Sequence, residues 1–247
     1  MKTVKKANLP ENSVAVCAVS AKAAGEIAAL QDLGIEVVAV EPSPLLAAPV
    51  SSHADMLLHH VGGEKLFAAQ PNSSHCRRLE QLGFNILDAG VQPHGNYPND
   101  ITLNIASVGD FAVMGKKCPE SELKRLCRQT KSCIEVGQGY AKCSICIIAE
   151  DAVVTADDGI AEALLKAGLD VLKISPGGIA IEGYDTGFIG GCCGLIARDV
   201  LAFCGDVTLH KDGGRIVSFA RERGVYIERL TDGIPKDVGG ILPLAEK

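Results

Sequence analysis

The sequence has no tryptophan, and aromatic residues of any kind make up only 4% of its 247 residues. Stacking platforms for nucleic-acid bases therefore have little to be built from. No long Lys/Arg run is present and the net charge is -6, so phosphate contacts are not expected either. No apolar stretch reaches the roughly 20 residues of a membrane helix. The opening MKTVKKANLPENS carries the lysines of a signal peptide, but Pro10, Glu11 and Asn12 interrupt it where an apolar core belongs. These absences predict a cytoplasmic protein with no nucleic-acid and no membrane partner.

Signatures for cofactors and metals are also missing. There is no Walker lysine motif and no Gly-x-Ser-x-Gly. Gly137-Gln138-Gly139 lacks the third glycine and the following helix of a dinucleotide site. Cys143-Ser144-Ile145-Cys146 has no second ligand pair at finger spacing. No cofactor and no metal is expected.

What is present is a globular composition, 47% apolar and 22% charged. Ala, Val, Ile and Leu must fill the core. The ten cysteines read as reduced thiols, because a free Cys in an apolar run behaves as a small hydrophobe.

The informative pattern is repetition. Five segments carry helical spacing: 21–33, 75–82, 120–130, 160–167 and 214–223. Four are followed by glycine, which accepts the left-handed conformation that ends a helix. After each comes a short strand-like run, at 35–41, 84–90, 132–137, 169–175 and 225–230. Before the helices, a small or polar anchor opens one strand and a second strand follows: HADMLLHH then EKLFAA, PNDITLNIA then DFAVMG, AKCSICIIA then DAVVTA, and YDTGFIGG through GLIA then DVTLH. The anchors Asp55, Asp100, Cys143 and Gly187 recur at 45, 43 and 44 residues. A fifth copy is split, with GGILPL near the C-terminus as its first strand and SVAVCAV at 13–19 as its second. A strand–strand–helix–strand unit cannot bury its helix face alone, so the copies are expected to pack around an axis. The predicted fold is an α/β five-fold pseudo-symmetric propeller, one domain over residues 1–247, closed by the N- and C-terminal strands. A layered α/β domain is the alternative.

Together with three local sequences, the repeat resembles the pentein family of guanidine-modifying enzymes. His53-Ala54-Asp55-Met56 is similar to its His-x-Asp strand, and Asn96-Tyr97-Pro98-Asn99-Asp100 to the segment that ends in a guanidinium-binding Asp. Gly239-Gly240-Ile241-Leu242-Pro243-Leu244 is similar to the C-terminal Gly-rich strand that carries the nucleophilic Cys. The resemblance implies an αβ-propeller with a guanidino-compound site at its axis. The sequence departs from the family at Pro243, where the resemblance implies Cys. It also reads Tyr184-Asp185-Thr186 in the fourth-repeat His-x-Asp slot and Ala141-Lys142-Cys143 at an acidic third-repeat position. A well-behaved family deiminase is therefore not implied.

In such a ring the opening residues of the first strands would gather His53, Asp55, Asn99, Asp100, Lys142, Cys143, Tyr184 and Asp185 around one pit. Three carboxylates there suit a guanidinium or amine, whose planar N–H donors pair with carboxylate oxygens; alternatively, Asp55 and Asp100 simply cap turns. His53 is the candidate base, or a loop histidine. By strand period two, His53, Asp55 and His59 share a face, but ligands along one strand lie too far apart to converge on a metal. For a nucleophile the candidates are Cys143, at an anchor position, and Cys192 or Cys193 in a Gly-rich bend. Asp55, Asn99, Asp100, Tyr184 and Asp185 are the candidate binding residues, with a small cationic molecule as the candidate partner. Three functions stay open: a binder of guanidino or amino compounds, a divergent hydrolase or amidinotransferase with a displaced Cys, and a non-enzymatic protein-binding propeller. The oligomeric state is left open.

Overall fold

The computed structural model describes residues 1–247. β1 (Lys2–Thr3) and β2 (Val14–Ser20) precede α1 (Ala24–Asp32) and β3 (Glu36–Val40). The first full repeat opens with a short turn of helix, α2 (Ala54–Leu57), then β4 (Leu58–Gly62), β5 (Lys65–Ala68), α3 (Ser74–Gln81) and β6 (Asn85–Asp88). The second has β7 (Ala106–Val108), β8 (Phe111–Gly115), α4 (Glu122–Thr130) and β9 (Ser132–Val136). The third has α5 (Ala141–Ser144), β10 (Ile145–Ala149), β11 (Ala152–Thr155), α6 (Asp158–Lys166) and β12 (Asp170–Lys173). The fourth has β13 (Cys193–Ala197), β14 (Val200–Phe203), α7 (Gly213–Arg221) and β15 (Tyr226–Arg229), and β16 (Leu242–Glu246) follows.

Each repeat makes its own small sheet. A first strand runs antiparallel to a second, and the helix crosses over to a third strand parallel to the second. In the remaining sheet, ordered β1-β16-β2-β3, the C-terminal strand supplies the first position and β2 the second, so the ring closes as expected. First strands of neighbouring repeats meet around the axis: β7 with β10, β10 with β13, β13 with β16, and β16 with β4. The apolar core is accordingly divided into four clusters, each spanning more than one repeat.

The local chemistry matches the sequence pattern. Gly34, Gly83, Gly168 and Gly224 have positive φ just past their helices, the conformation a β-carbon resists. Ser73, Ser121 and Asp157 cap α3, α4 and α6 by accepting a backbone N–H.

The first strands, however, begin later than their apolar runs suggested. Ala54–Leu57 and Ala141–Ser144 form helical turns, and Asn99–Ile101 and Ile189–Cys192 form turns of 3-10 helix. Gly239-Gly240 likewise belongs to a turn ahead of β16, while Pro243 lies inside that strand opposite Cys17. This changes which side chains reach the axis.

Candidate functional site

The turns ahead of the first strands build the pit. Five residues before β4, β10, β13 and β16 stand His53, Tyr140, Phe188 and Asp237; two residues before β4 and β10 stand Met56 and Cys143. His53, Tyr140 and Phe188 are the cap residues of their short helices. Positions three apart on a helical turn share a face, so the turns before β4 and β10 each deliver a pair of side chains to the same place, and the segments before β13 and β16 one each. All six line one cavity of about 200 Å³, completed by Val50, Ile181, Tyr184 and Thr186.

Asp237 is the charged centre of this cavity. Its side chain is buried, its Oδ2 accepts from Phe188 N at 2.9 Å and its Oδ1 from Gly239 N at 3.0 Å. Glycine makes the room: a Cβ at Gly191 would overlap the Asp237 carboxylate, and the turn after Asp237 is pinned by Val238 N and Gly240 N donating to Gly191 O. His53 Nδ1 lies 3.7 Å from Asp237 Oδ1. Burial lowers the His53 pKa, and this outweighs the opposing pull of the Asp237 charge. The ring is therefore neutral near pH 7. No Lys or Arg lies within ion-pair distance of Asp237.

Below the cavity runs a buried polar network. Cys143 Sγ donates to Asp55 Oδ2 at 3.0 Å and receives Asn104 Nδ2 at 3.0 Å; Asn104 also donates to Asp55 O and accepts from Lys142 N. Asp55 Oδ1 has no partner. Burial pushes the Asp55 carboxyl up to about 7, with the Lys142 charge opposing and Asp237 adding to the rise. Burial, with the Asp55 charge beside it, pushes the Cys143 thiol well above its usual value, so the resting group is the thiol. The wall is aromatic: the Tyr140 ring sits 5.8 Å from Phe188 and 6.0 Å from Tyr97, and its hydroxyl donates to Asp100 Oδ2 at 2.6 Å.

The candidates from the sequence divide accordingly. His53, Cys143 and Tyr184 line the cavity, Tyr184 at the exposed mouth, and Asp55 lies directly beneath through Cys143. Asp100 acts on the cavity through Tyr140 and does not line it. Asn99 is half-buried in its turn and Asp185 is exposed, and neither is in the lining. Cys192 and Cys193 are buried away from it, donating to the carbonyls of Phe188 and Ile189. The face shared by His53, Asp55 and His59 does not exist, because a helical turn separates them. His59 sits between repeats against Leu103 O and Ser107 Oγ, its pKa pushed down to about 3 by burial.

Asp237, Asn104, Tyr140 and Phe188 were missed. Counting five and two residues back from each first strand finds all four, since Asn104 holds the second-repeat position equivalent to Cys143. Asp100, taken as that repeat's anchor, is four residues too early.

Comparison with known proteins agrees with the geometry. A profile described as "Family of unknown function (DUF6873)" matches residues 18–242. The chain belongs to this family. No curated protein matches the sequence. Among solved structures it is similar to inosamine-phosphate amidinotransferase from Streptomyces griseus (TM-score 0.61, 11% identity, covering 100% of this chain and 98% of that one). It is also similar to an amidinotransferase of saxitoxin biosynthesis from Microseira wollei (0.59, 10%, 99% and 97%) and to the agmatine deiminase of C. jejuni (0.56, 10%, 91% and 90%). These are pentein enzymes, and at such identities the likeness establishes the pentein fold.

Proposed function

We propose that this protein binds a small guanidino or amino compound in the axial cavity. One observation carries the reading: Asp237 is buried, faces a cavity, and has no Lys or Arg at ion-pair distance, its one partner there being a histidine that burial keeps neutral. A buried carboxylate without a permanent counter-ion favours a cation supplied from outside. A planar N–H donor group fits it, with the Tyr140 and Phe188 faces adding attraction for the positive charge.

The test is a thermal-shift panel of arginine, agmatine, creatine and methylarginines, with zinc as control. A ligand at 100 times its Kd adds about 2.7 kcal/mol, a shift of several degrees at this chain length. Stabilisation by at least one compound, abolished in Asp237→Asn, is expected. No stabilisation by any of them, or an undiminished shift in the variant, would overturn the reading.

A second reading, a divergent hydrolase or amidinotransferase, is favoured by the Cys143–Asp55 contact at the cavity floor. There Asp55 would take the thiol proton as sulfur adds to the guanidinium carbon and the C=N electron pair moves to nitrogen. The proton would return to the departing amine as its C–N bond breaks, leaving a thiouronium on Cys143 for water or a second amine to displace. Loss of turnover with retained binding in Cys143→Ser would support it.

A further inference from the structure

We infer that the axial cavity selects cations on a short apolar stem and rejects those that also carry a carboxylate. This rests on the cation-site reading above and names its ligand class.

The polar groups of the cavity are concentrated around Asp237, His53 and Cys143, whereas the remaining wall is dominated by apolar and aromatic side chains such as Val50, Met56 and Ile181. No Lys or Arg lines it. An α-amino acid such as arginine would bring a carboxylate into this space, where it needs its own charged partner. Of the basic groups nearby, two are held by other contacts and the third, Lys142, is buried outside the lining. Lys22 Nζ donates to Ala48 O at 2.5 Å and to Ser51 Oγ at 3.1 Å. Lys117 stacks over the Tyr97 ring at 5.8 Å, and Lys142 acts on Asp55 beneath the floor. The Phe188 N–H is already taken by Asp237. An incoming anion would be stripped of water, left unpaired and repelled by Asp237. Size points the same way, since a cavity of about 200 Å³ is smaller than the roughly 300 Å³ at which ordinary ligand pockets begin. That accommodates a guanidinium or ammonium head with a few methylenes.

Calorimetric titration of the whole chain with matched compounds tests this: agmatine and butylguanidine against arginine and guanidinobutyrate, with arginine methyl ester as a third arm. The carboxylate-free compounds should bind about ten-fold tighter or better than their carboxylate partners. The ester should recover most of the loss, because it removes the charge and keeps the skeleton. Ile181→Arg should raise the affinity for arginine and leave butylguanidine no better bound. Equal or tighter binding of arginine or guanidinobutyrate would overturn the selectivity and leave the cation site standing. Failure of every compound to bind would overturn both.

Discussion

At the scale of single residues, Asp55 costs the protein stability as pH rises. Its folded-state pKa is about 7, against 3.8 for the free side chain. Between those values the unfolded chain releases the proton and the folded chain keeps it, so the unfolded state gains with rising pH. Asp55→Asn removes that dependence. Relative to the parent, the variant should be about 2–4 kcal/mol better off at pH 8 than at pH 4, at 1.36 kcal/mol per pKa unit; urea unfolding at the two pH values measures it. Identical pH profiles would mean that the folded Asp55 titrates normally. The buried histidines run in the opposite direction. His53, His59, His60 and His75 all have lowered pKa values, chiefly through burial. Their contribution is complete above about 6.5 and is lost as pH falls, in parent and variant alike. Residue types were partly legible here: Asp55 and Cys143 are marked by the repeat spacing and His53 by its resemblance to a His-x-Asp strand. Asp237 is not marked, because its partners, Phe188 N and the space above Gly191, lie some fifty positions away in the chain.

At the scale of elements, the short helical turns ahead of β4, β10 and β13 and the bend ahead of β16 set the site. Such turns are nearly invisible in sequence. Four residues hold about one helical period, and Ala54–Leu57 is buried on every side, so neither a period of 3.6 nor one of 2 can show. The longer helices were legible because an apolar face, a polar face and a closing glycine mark them. In the fourth repeat the turn must leave space for Asp237. Gly191→Ala should cost about 1–3 kcal/mol through overpacking and abolish cation binding, since the new methyl group would displace the carboxylate. Gly137→Ala is the control: it is exposed, meets nothing within 4 Å, and should change stability by less than about 0.5 kcal/mol. A Gly191→Ala chain as stable as the parent and still binding ligand would show that Asp237 is not fixed by this packing.

At the scale of the whole molecule, closure of the ring depends on the last strand. β16 bridges β1 and β2, and its Leu242, Leu244 and Ala245 are buried in the largest core cluster. The same segment holds the Glu246 carboxylate, which receives the N–H groups of Glu11 and Asn12. Removing residues 242–247 leaves the β2 edge unpaired and opens that core. The truncated chain should lose its cooperative thermal transition, followed by circular dichroism. A sharp transition within a few degrees of the parent would show that the other four sheets stand without closure.

The sequence by itself determined the repeat, its strand–strand–helix–strand order and the meeting of the termini, because hydrophobic periodicity and helix-ending glycines are local properties of the chain. It also marked Asp55 and Cys143 through the repeat spacing and His53 through its place two residues before Asp55. Only the tertiary structure decided that Asp237 holds the charge at the axis, that Tyr140 and Phe188 wall the cavity, and that Cys192 and Cys193 belong to the core. Those assignments depend on which turn of one repeat faces which turn of the next. That facing is set by packing around the axis, over distances the local pattern does not record.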